Sequence, residues 1–265
     1  MLKVLITGAS SGIGEALARE FAGRGASLGL IARRSEKLQA LAASLPGQHF
    51  CYSADVSQKD QIIAAAKQFE SDSGGADIVI ANAGISIGVL TEYYDDLNAF
   101  SDVLATNVLA MAYTFHPFIA PMRARGHGKL VGIASVAGIR GLPGSEAYCA
   151  SKAANISYCE SLRNEIKRYG IQVITICPGF IRTQMTEKNP YSMPFLMDAP
   201  DFARQAVDAI TAGHAYKVIP WQMGWVARLM RLLPNGIFDK LVGNRAYKPR
   251  KTDGDSSPNP PSPQG

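Results

Sequence analysis

Tyr148 and Lys152, four residues apart in YCASK, are a pair of types and spacing suited to moving a proton. On a helix, positions i and i+4 share a face, so the phenol and the ammonium stand side by side. A free phenol ionises near 10, a poor match for proton transfer at neutral pH. An ammonium about 4 Å away, at an effective dielectric of about 20, is worth on the order of 4 kcal/mol, enough to bring the phenol near 7. The small residues between them let the helix approach a bound molecule closely. Thirteen residues before the tyrosine, Ser135 ends the apolar run KLVGIAS. In open α/β sheets ligands bind beyond the carboxyl ends of the strands, so this hydroxyl is expected to face the same cleft and to hydrogen-bond a carbonyl there.

A second constellation lies near the start of the chain. TGASSGIG, residues 7–14, follows an apolar strand and opens a helix over 13–24. Its glycines permit a tight turn and close approach of backbone to a pyrophosphate, which would sit at the positive N-terminus of that helix. Gly8, Ser10, Ser11, Gly12, Ile13 and Gly14 are therefore the expected cradle. GASSG also matches the nucleophile elbow of serine hydrolases, but that motif needs a preceding strand and loop to supply an oxyanion-hole donor, and only six residues precede Thr7. The end of the second strand reads LIARR. It has no carboxylate to hold a ribose 2′-hydroxyl, and Arg33 can grip a 2′-phosphate bidentately, so NADP(H) is expected in preference to NAD(H).

These groups need elements to position them. Short apolar runs at 2–6, 27–32, 49–53, 77–81, 129–135, 171–177 and 217–220 alternate with helical patterns. The alternation predicts a doubly wound parallel α/β sheet of Rossmann type, in one catalytic domain over 1–220. An amphipathic, basic extension follows over 221–250. The ending 251–265, rich in Pro, Ser, Gly and Asn, is expected to be disordered.

Composition narrows the function classes. In a chain of 265 residues, 47% are hydrophobic and 18% charged, ordinary for a globular protein. No uninterrupted apolar run approaches the ~20 residues of a bilayer span, and the N-terminus lacks a signal-peptide pattern, so no transmembrane helix and a cytoplasmic location are expected. Cys51, Cys149, Cys159 and Cys177 form no C-x-x-C, and the four histidines are scattered, so no metal centre is expected. The net charge of +5 is not spread evenly. Residues 216–251 hold eight Lys or Arg against Asp239, residues 252–265 add Asp253 and Asp255, and residues 1–215 are neutral overall. A nucleic-acid surface is not supported by that distribution.

In order along the chain stand TGASSGIG, Asp55 in DV, NAG at 82–84, Asn107, Ser135, YCASK and PGFIRT at 178–183. Through them the sequence resembles the short-chain dehydrogenase/reductase family over residues 1 to about 220. The resemblance implies that Tyr148 is the general acid/base, that Ser135 orients the carbonyl, and that Lys152 lowers the tyrosine pKa and holds the nicotinamide ribose. It implies that Asn107 anchors a proton-relay water, that Asp55 and Asn82 contact the adenine side with Val56, Ala83 and Gly84 alongside, and that Ile181 and Thr183 hold the carboxamide. The family often has two asparagines where this chain has Ala81 and Asn82. The activity implied is hydride transfer between NADPH and a ketone or aldehyde, or the reverse. A cofactor-binding regulator without turnover is the rival, and its usual mark, a missing catalytic residue, is absent.

Val136, Ala137, Ile139, Leu142, Phe180 and the segment 193–197 are the expected substrate pocket. Their apolar character suggests a lipophilic substrate, covered by a lid over 184–199. By the family resemblance, helix 148–168 and the helix ending near 124 would form a homo-oligomer interface. Over 221–233, Trp225, Val226, Leu229, Met230 and Leu233 form a stripe with Arg228 and Arg231 opposite, followed by Pro234-Asn235-Gly236 and a second apolar stretch. This stripe has two readings: packing on core, pocket or subunit, or peripheral contact with a membrane surface through 221–251.

Overall fold

A computed structural model describes residues 1–187, 189–243 and 246–250. The segment expected to be disordered, 251–265, lies outside the described residues. The strands are β1 (Lys3–Thr7), β2 (Ser27–Ala32), β3 (His49–Ser53), β4 (Ile78–Ala81), β5 (Gly128–Ile133), β6 (Ile171–Pro178), β7 (Ile181–Arg182), β8 (Met197–Asp198) and β9 (Tyr216–Ile219). The helices are α1 (Gly12–Gly23), α2 (Ser35–Ser44), α3 (Lys59–Ser73), α4 (Asp96–Leu104), α5 (Ala110–Arg125), α6 (Glu146–Ile166), α7 (Gln184–Glu187), α8 (Ala199–Ala212), α9 (Trp221–Leu232) and α10 (Asn235–Val242).

Seven strands form one parallel sheet in the order β3-β2-β1-β4-β5-β6-β9, and β7 pairs with β8 in a small second sheet. The central strands β2, β1, β4, β5 and β6 are buried on both faces, as their near-continuous apolar sequences require, and the edge strands β3 and β9 are only partly buried. Alternation along β1 shows this: Val4 and Ile6 join a cluster with Leu17 and Phe21 of α1 and Phe202 of α8, whereas Leu5 joins Phe69 of α3 and Phe115 of α5 on the other side. The expected doubly wound architecture is thus what the residues build. The chain runs outward from β1 to β3 and then returns to place β4 on the other side of β1. Strand order reverses there, and the carboxyl ends of β1 and β4 open into a crevice.

One helix has a length and composition that the reading of apolar runs did not register. The helix running continuously over Asp96–Arg125, in which α4 and α5 are joined by the π turn Ala105–Leu109, is by length and composition apolar enough to cross a membrane. Serine, threonine and asparagine break its apolar run, which is why run length alone overlooked it. In the fold α5 packs on α3 and α4 on α6, and Val103, Asn107, Met111, Phe115, Phe118 and Met122 are buried.

Candidate active site

The first strand delivers the glycine turn. Gly8 has φ +67°, and a Cβ there would stand 2.8 Å from the Ala83 Cα. At Gly14 a Cβ would collide with the Gly8 carbonyl oxygen. The turn is therefore pressed against the β4 end and against α1 with no room for side chains, which leaves its outer surface free to a ligand. Thr7, overlooked in the sequence, clamps the two loops: its Oγ1 accepts from the amides of Asn82 at 3.0 Å and Ala83 at 3.1 Å. Asn82 reciprocates, its Nδ2 donating to the carbonyls of Thr7 at 2.9 Å and Gly8 at 3.4 Å. A conformationally fixed Thr-Gly junction facing NAG is the signal that could have found Thr7.

Above these loops runs a cleft of about 860 Å³. Gly8, Ser10, Ser11, Gly12, Ile13, Arg33, Asp55, Val56, Asn82, Ala83, Gly84, Ser135, Tyr148, Lys152, Ile181 and Thr183 all line it. Of the sequence-assigned residues, Gly14 and Asn107 stand behind the wall. Arg34, not assigned from sequence, also lines the cleft, and its Nη2 donates to the hydroxyls of Ser10 at 3.1 Å and Ser11 at 3.4 Å. Asp55 accepts from the amide and the hydroxyl of Ser57 at 3.0 and 2.8 Å, so its carboxylate is oriented before any ligand arrives.

Asn107 sits in the π turn, where the widened backbone lets its amide face Ile85. Its Oδ1 accepts from the Ile85 amide at 2.8 Å, and its Nδ2 donates to the Ile85 carbonyl at 3.0 Å and to Ser151 Oγ at 2.9 Å. The side chain thus ties α6 to the wall at 84–85. These side-chain hydrogen bonds hold Asn107 in place beside the cleft wall.

Ser135, Tyr148 and Lys152 converge at the carboxyl end of β5. Ser135 caps a single helical turn, Val136–Gly138, and accepts from the Ala137 amide at 3.1 Å. Its hydroxyl faces the Tyr148 phenol and favours the ionised form of that phenol. Lys152, 5% exposed, donates to the Ile133 carbonyl at 2.9 Å, and its ammonium lies 5.8 Å from the Tyr148 ring centroid.

Here the expected electrostatics is reversed. Burial pushes the Tyr148 phenol up to about 12, with the Ser135 hydroxyl only partly opposing it. Burial likewise brings the Lys152 ammonium down to about 8. A phenol near 7 would require the two charges to face each other in a solvated setting. In this pocket each ion is desolvated, and the ammonium is committed to a carbonyl rather than to the phenol.

The apolar part of the cleft is also corrected. It is lined by Ile85, Ile87, Pro178, Gly179 and Met185, not by Val136, Ala137, Ile139, Leu142, Phe180 or the segment 193–197. Val136 is buried in the turn behind Ser135, and Phe195 is 49% exposed. The stretch 184–199 is fastened near both ends, where β7 pairs with β8 and Arg182 meets Asp198 at 2.7 Å.

The C-terminal residues 246–250 return to the cleft, a feature the sequence reading missed. Gly88 donates to the Pro249 carbonyl at 3.1 Å, and Tyr247 packs on Gly144. Lys248 Nζ donates to Ser86 Oγ at 3.0 Å and to the Met185 carbonyl at 3.3 Å, joining one lip of the cleft to the other. Arg250 anchors this strap. Its guanidinium meets Asp96, 2% exposed, at 2.8 Å and covers the Tyr93 ring at 3.7 Å. Burial raises the Asp96 carboxyl, but Arg250 and the Leu90 amide outweigh it and hold the group below its ordinary value. A local signal was present in Lys248-Pro249-Arg250, but nothing local says where such a segment docks.

A glycine cradle at a strand-order switch, beside a serine, tyrosine and lysine at the end of the fifth strand, defines a Rossmann-type oxidoreductase. Residues 2–193 match the family model for short chain dehydrogenases, and the chain belongs to that family, whose fold binds nicotinamide cofactors. It is 36% identical over 238 residues to an uncharacterized oxidoreductase of Myxococcus xanthus, covering 89% of this chain and 94% of that one. A mouse protein named epidermal retinol dehydrogenase 2 is 35% identical over 244 residues, covering 87% and 78%. A crystal structure of a short-chain dehydrogenase from Streptomyces avermitilis superposes with a TM-score of 0.76 at 26% identity, covering 91% and 94%.

Proposed function

We propose that this oxidoreductase uses NADPH to reduce a lipophilic ketone or aldehyde, and catalyses the reverse oxidation when the cofactor ratio is reversed. The observation that carries the reading is the convergence of Ser135, Tyr148 and Lys152 on one cleft with the glycine turn. A phenol held near 12 keeps its proton at neutral pH, the state a proton donor needs. Ser135 faces that phenol across the cleft, so a substrate oxygen placed between them is oriented toward the proton. The nicotinamide cofactor supplies the hydride chemistry. Lys152, buried and cationic, stands beside Gly84, where it can hold a ribose hydroxyl.

The cradle fits a dinucleotide, since a Cβ at Gly8 or Gly14 would push the backbone off the turn that a pyrophosphate requires. Two arginines and no carboxylate at the end of β2 favour a 2′-phosphate, and Arg34 is already drawn toward the glycine turn by Ser10 and Ser11. Ile85, Ile87, Pro178 and Met185 favour an apolar substrate, a reading that the mouse relative's name supports. Exposed His116 and Ala120 on α5, with Leu109 of the preceding π turn 49% exposed, favour a homo-oligomer built on α5 and α6, which light scattering at micromolar concentration would test.

The deciding experiment follows nicotinamide fluorescence with a panel of apolar and polar carbonyl compounds, using NADPH and NADH in turn. Turnover of apolar ketones or aldehydes with NADPH supports the reading. Tight NADPH binding with no turnover across the panel would favour the regulator, and preference for NADH would overturn the cofactor assignment.

A further inference from the structure

The outer face of α9 and α10 is apolar and basic at once. Trp221, Trp225, Leu229 and Leu232 stand 64, 62, 63 and 80% exposed, and Ile237 and Leu241 of α10 stand 51 and 69% exposed. Spacings of four, four and three place the first four within one stripe of α9. The inner side of both helices is already occupied: Met223 abuts Gly179, Ala227 is buried, and the Phe238 ring lies 3.8 Å under the Arg140 guanidinium. Single exposed apolar residues are normal on a protein surface, but six large ones on two consecutive helices are a patch.

The charge on this face has one dominant sign. Arg228 was expected on the side opposite the stripe. The structure instead sets its guanidinium 5.4 Å from the Trp225 ring centroid, because seven residues turn a helix almost back onto the face of Trp221. Arg231 and Lys240 are also exposed, with Asp239 the acid between them.

We propose that the α9–α10 face docks on an anionic lipid bilayer. Indole rings favour the headgroup level, leucine and isoleucine reach the acyl boundary, and arginine and lysine meet lipid phosphates. A second copy of the chain fits less well, since a two-fold contact sets a patch against itself and would bring these cations together. The platform is tied to the active site by Arg140, five residues beyond Ser135, which donates to the Leu233 carbonyl at 2.7 Å and to Asn235 Oδ1 at 3.0 Å. Docking rests on no part of the catalytic reading, although it would bring an apolar substrate to the cleft from the membrane.

Both tryptophans of the chain lie on α9, so intrinsic tryptophan fluorescence reports on this surface alone. Full-length protein is mixed with vesicles of zwitterionic lipid, or of the same lipid containing phosphatidylglycerol, at low and high salt, and followed by sedimentation and fluorescence. The expected result is blue-shifted emission and sedimentation with anionic vesicles at low salt, both lost at high salt. Arg228→Gln/Arg231→Gln should weaken binding roughly tenfold or more, at about 1 kcal/mol per basic residue. Trp225→Glu/Leu229→Glu should abolish it, with melting temperature and NADPH binding retained. No fluorescence shift or sedimentation at low salt would overturn the proposal. So would undiminished binding by both variants, or a fall in oligomer size in Trp225→Glu/Leu229→Glu, which would assign the face to a second copy.

Discussion

The β5–α6 corner and the α9–α10 face use similar materials in opposite ways. Each sets a basic side chain beside an aromatic ring, Lys152 with Tyr148 and Arg228 with Trp225, at centroid distances of 5.8 and 5.4 Å. In the corner both groups are withdrawn from water and both titrations shift against the charged form. On the α9–α10 face the pair stands in solvent. Residue type and separation are nearly matched, so burial decides which pair can take part in proton chemistry and which can only adhere to something.

The largest effect expected is confined to the corner. Tyr148→Phe should lower turnover about 100-fold or more while leaving NADPH affinity and vesicle binding intact. Near-normal turnover would remove the phenol from the mechanism and erase the contrast. Conversely, Trp225→Glu/Leu229→Glu should leave turnover of a water-soluble ketone unchanged.

Arg33 and Arg34 are the intermediate case, exposed cations that line a binding cleft. Replacing Arg33 with Asp should weaken NADPH binding roughly 10- to 100-fold relative to NADH, since a charge-assisted contact to phosphate is worth about 1.5–3 kcal/mol. Fluorescence titration of Arg33→Asp and Arg34→Asp separates the two. The contact of Arg34 with Ser10 and Ser11 gives it a share that sequence reading had assigned to Arg33 alone. Unchanged discrimination in both variants would move the choice of cofactor to the glycine turn.

The strap sharpens the comparison from within the C-terminal region. Unlike Arg228, Arg250 is half-buried against a fully buried partner, with side-chain exposures of 17% and 2% for the Arg250–Asp96 pair. Arg250→Ala leaves a carboxylate buried without its main cation and should destabilise the fold by roughly 3 kcal/mol, read by chemical denaturation. A change within error would show that the strap contributes nothing to stability.

The smallest effect is a pH dependence. With Lys152 near 8 and Tyr148 near 12, ketone reduction should decline several-fold as pH rises through about 8, while the phenol keeps its proton throughout. Stability moves the other way. A lysine whose folded value lies below its ordinary 10.5 binds fewer protons folded than unfolded, so this group makes the fold more stable as pH rises from about 8 toward 10.5. Lys152→Met should remove both trends, and a profile flat through pH 8 in the unmodified protein would contradict the assignment.

The sheet was legible because parallel strands buried on both faces must be written as short apolar runs: SLGLIA coincides residue for residue with β2, and the run HFCYS likewise with the half-buried edge strand β3. The cradle and the serine, tyrosine and lysine were legible because turn geometry and helical spacing are local properties. Other features depend on what each residue packs against, and only the tertiary structure decides that. The phenol rises rather than falls because the pocket excludes water. Asn107 binds Ile85 because a π turn aims it there. Arg228 joins the tryptophans because Met223 and Ala227 take the inner face of α9. Residues 246–250 close on the cleft because Asp96, some 150 residues earlier in the chain, is buried there without another cation among its described partners. Desolvation is set by the whole fold, so the sequence determined which groups could do chemistry, and the packing determined the protonation state in which they stand and the surface from which they act.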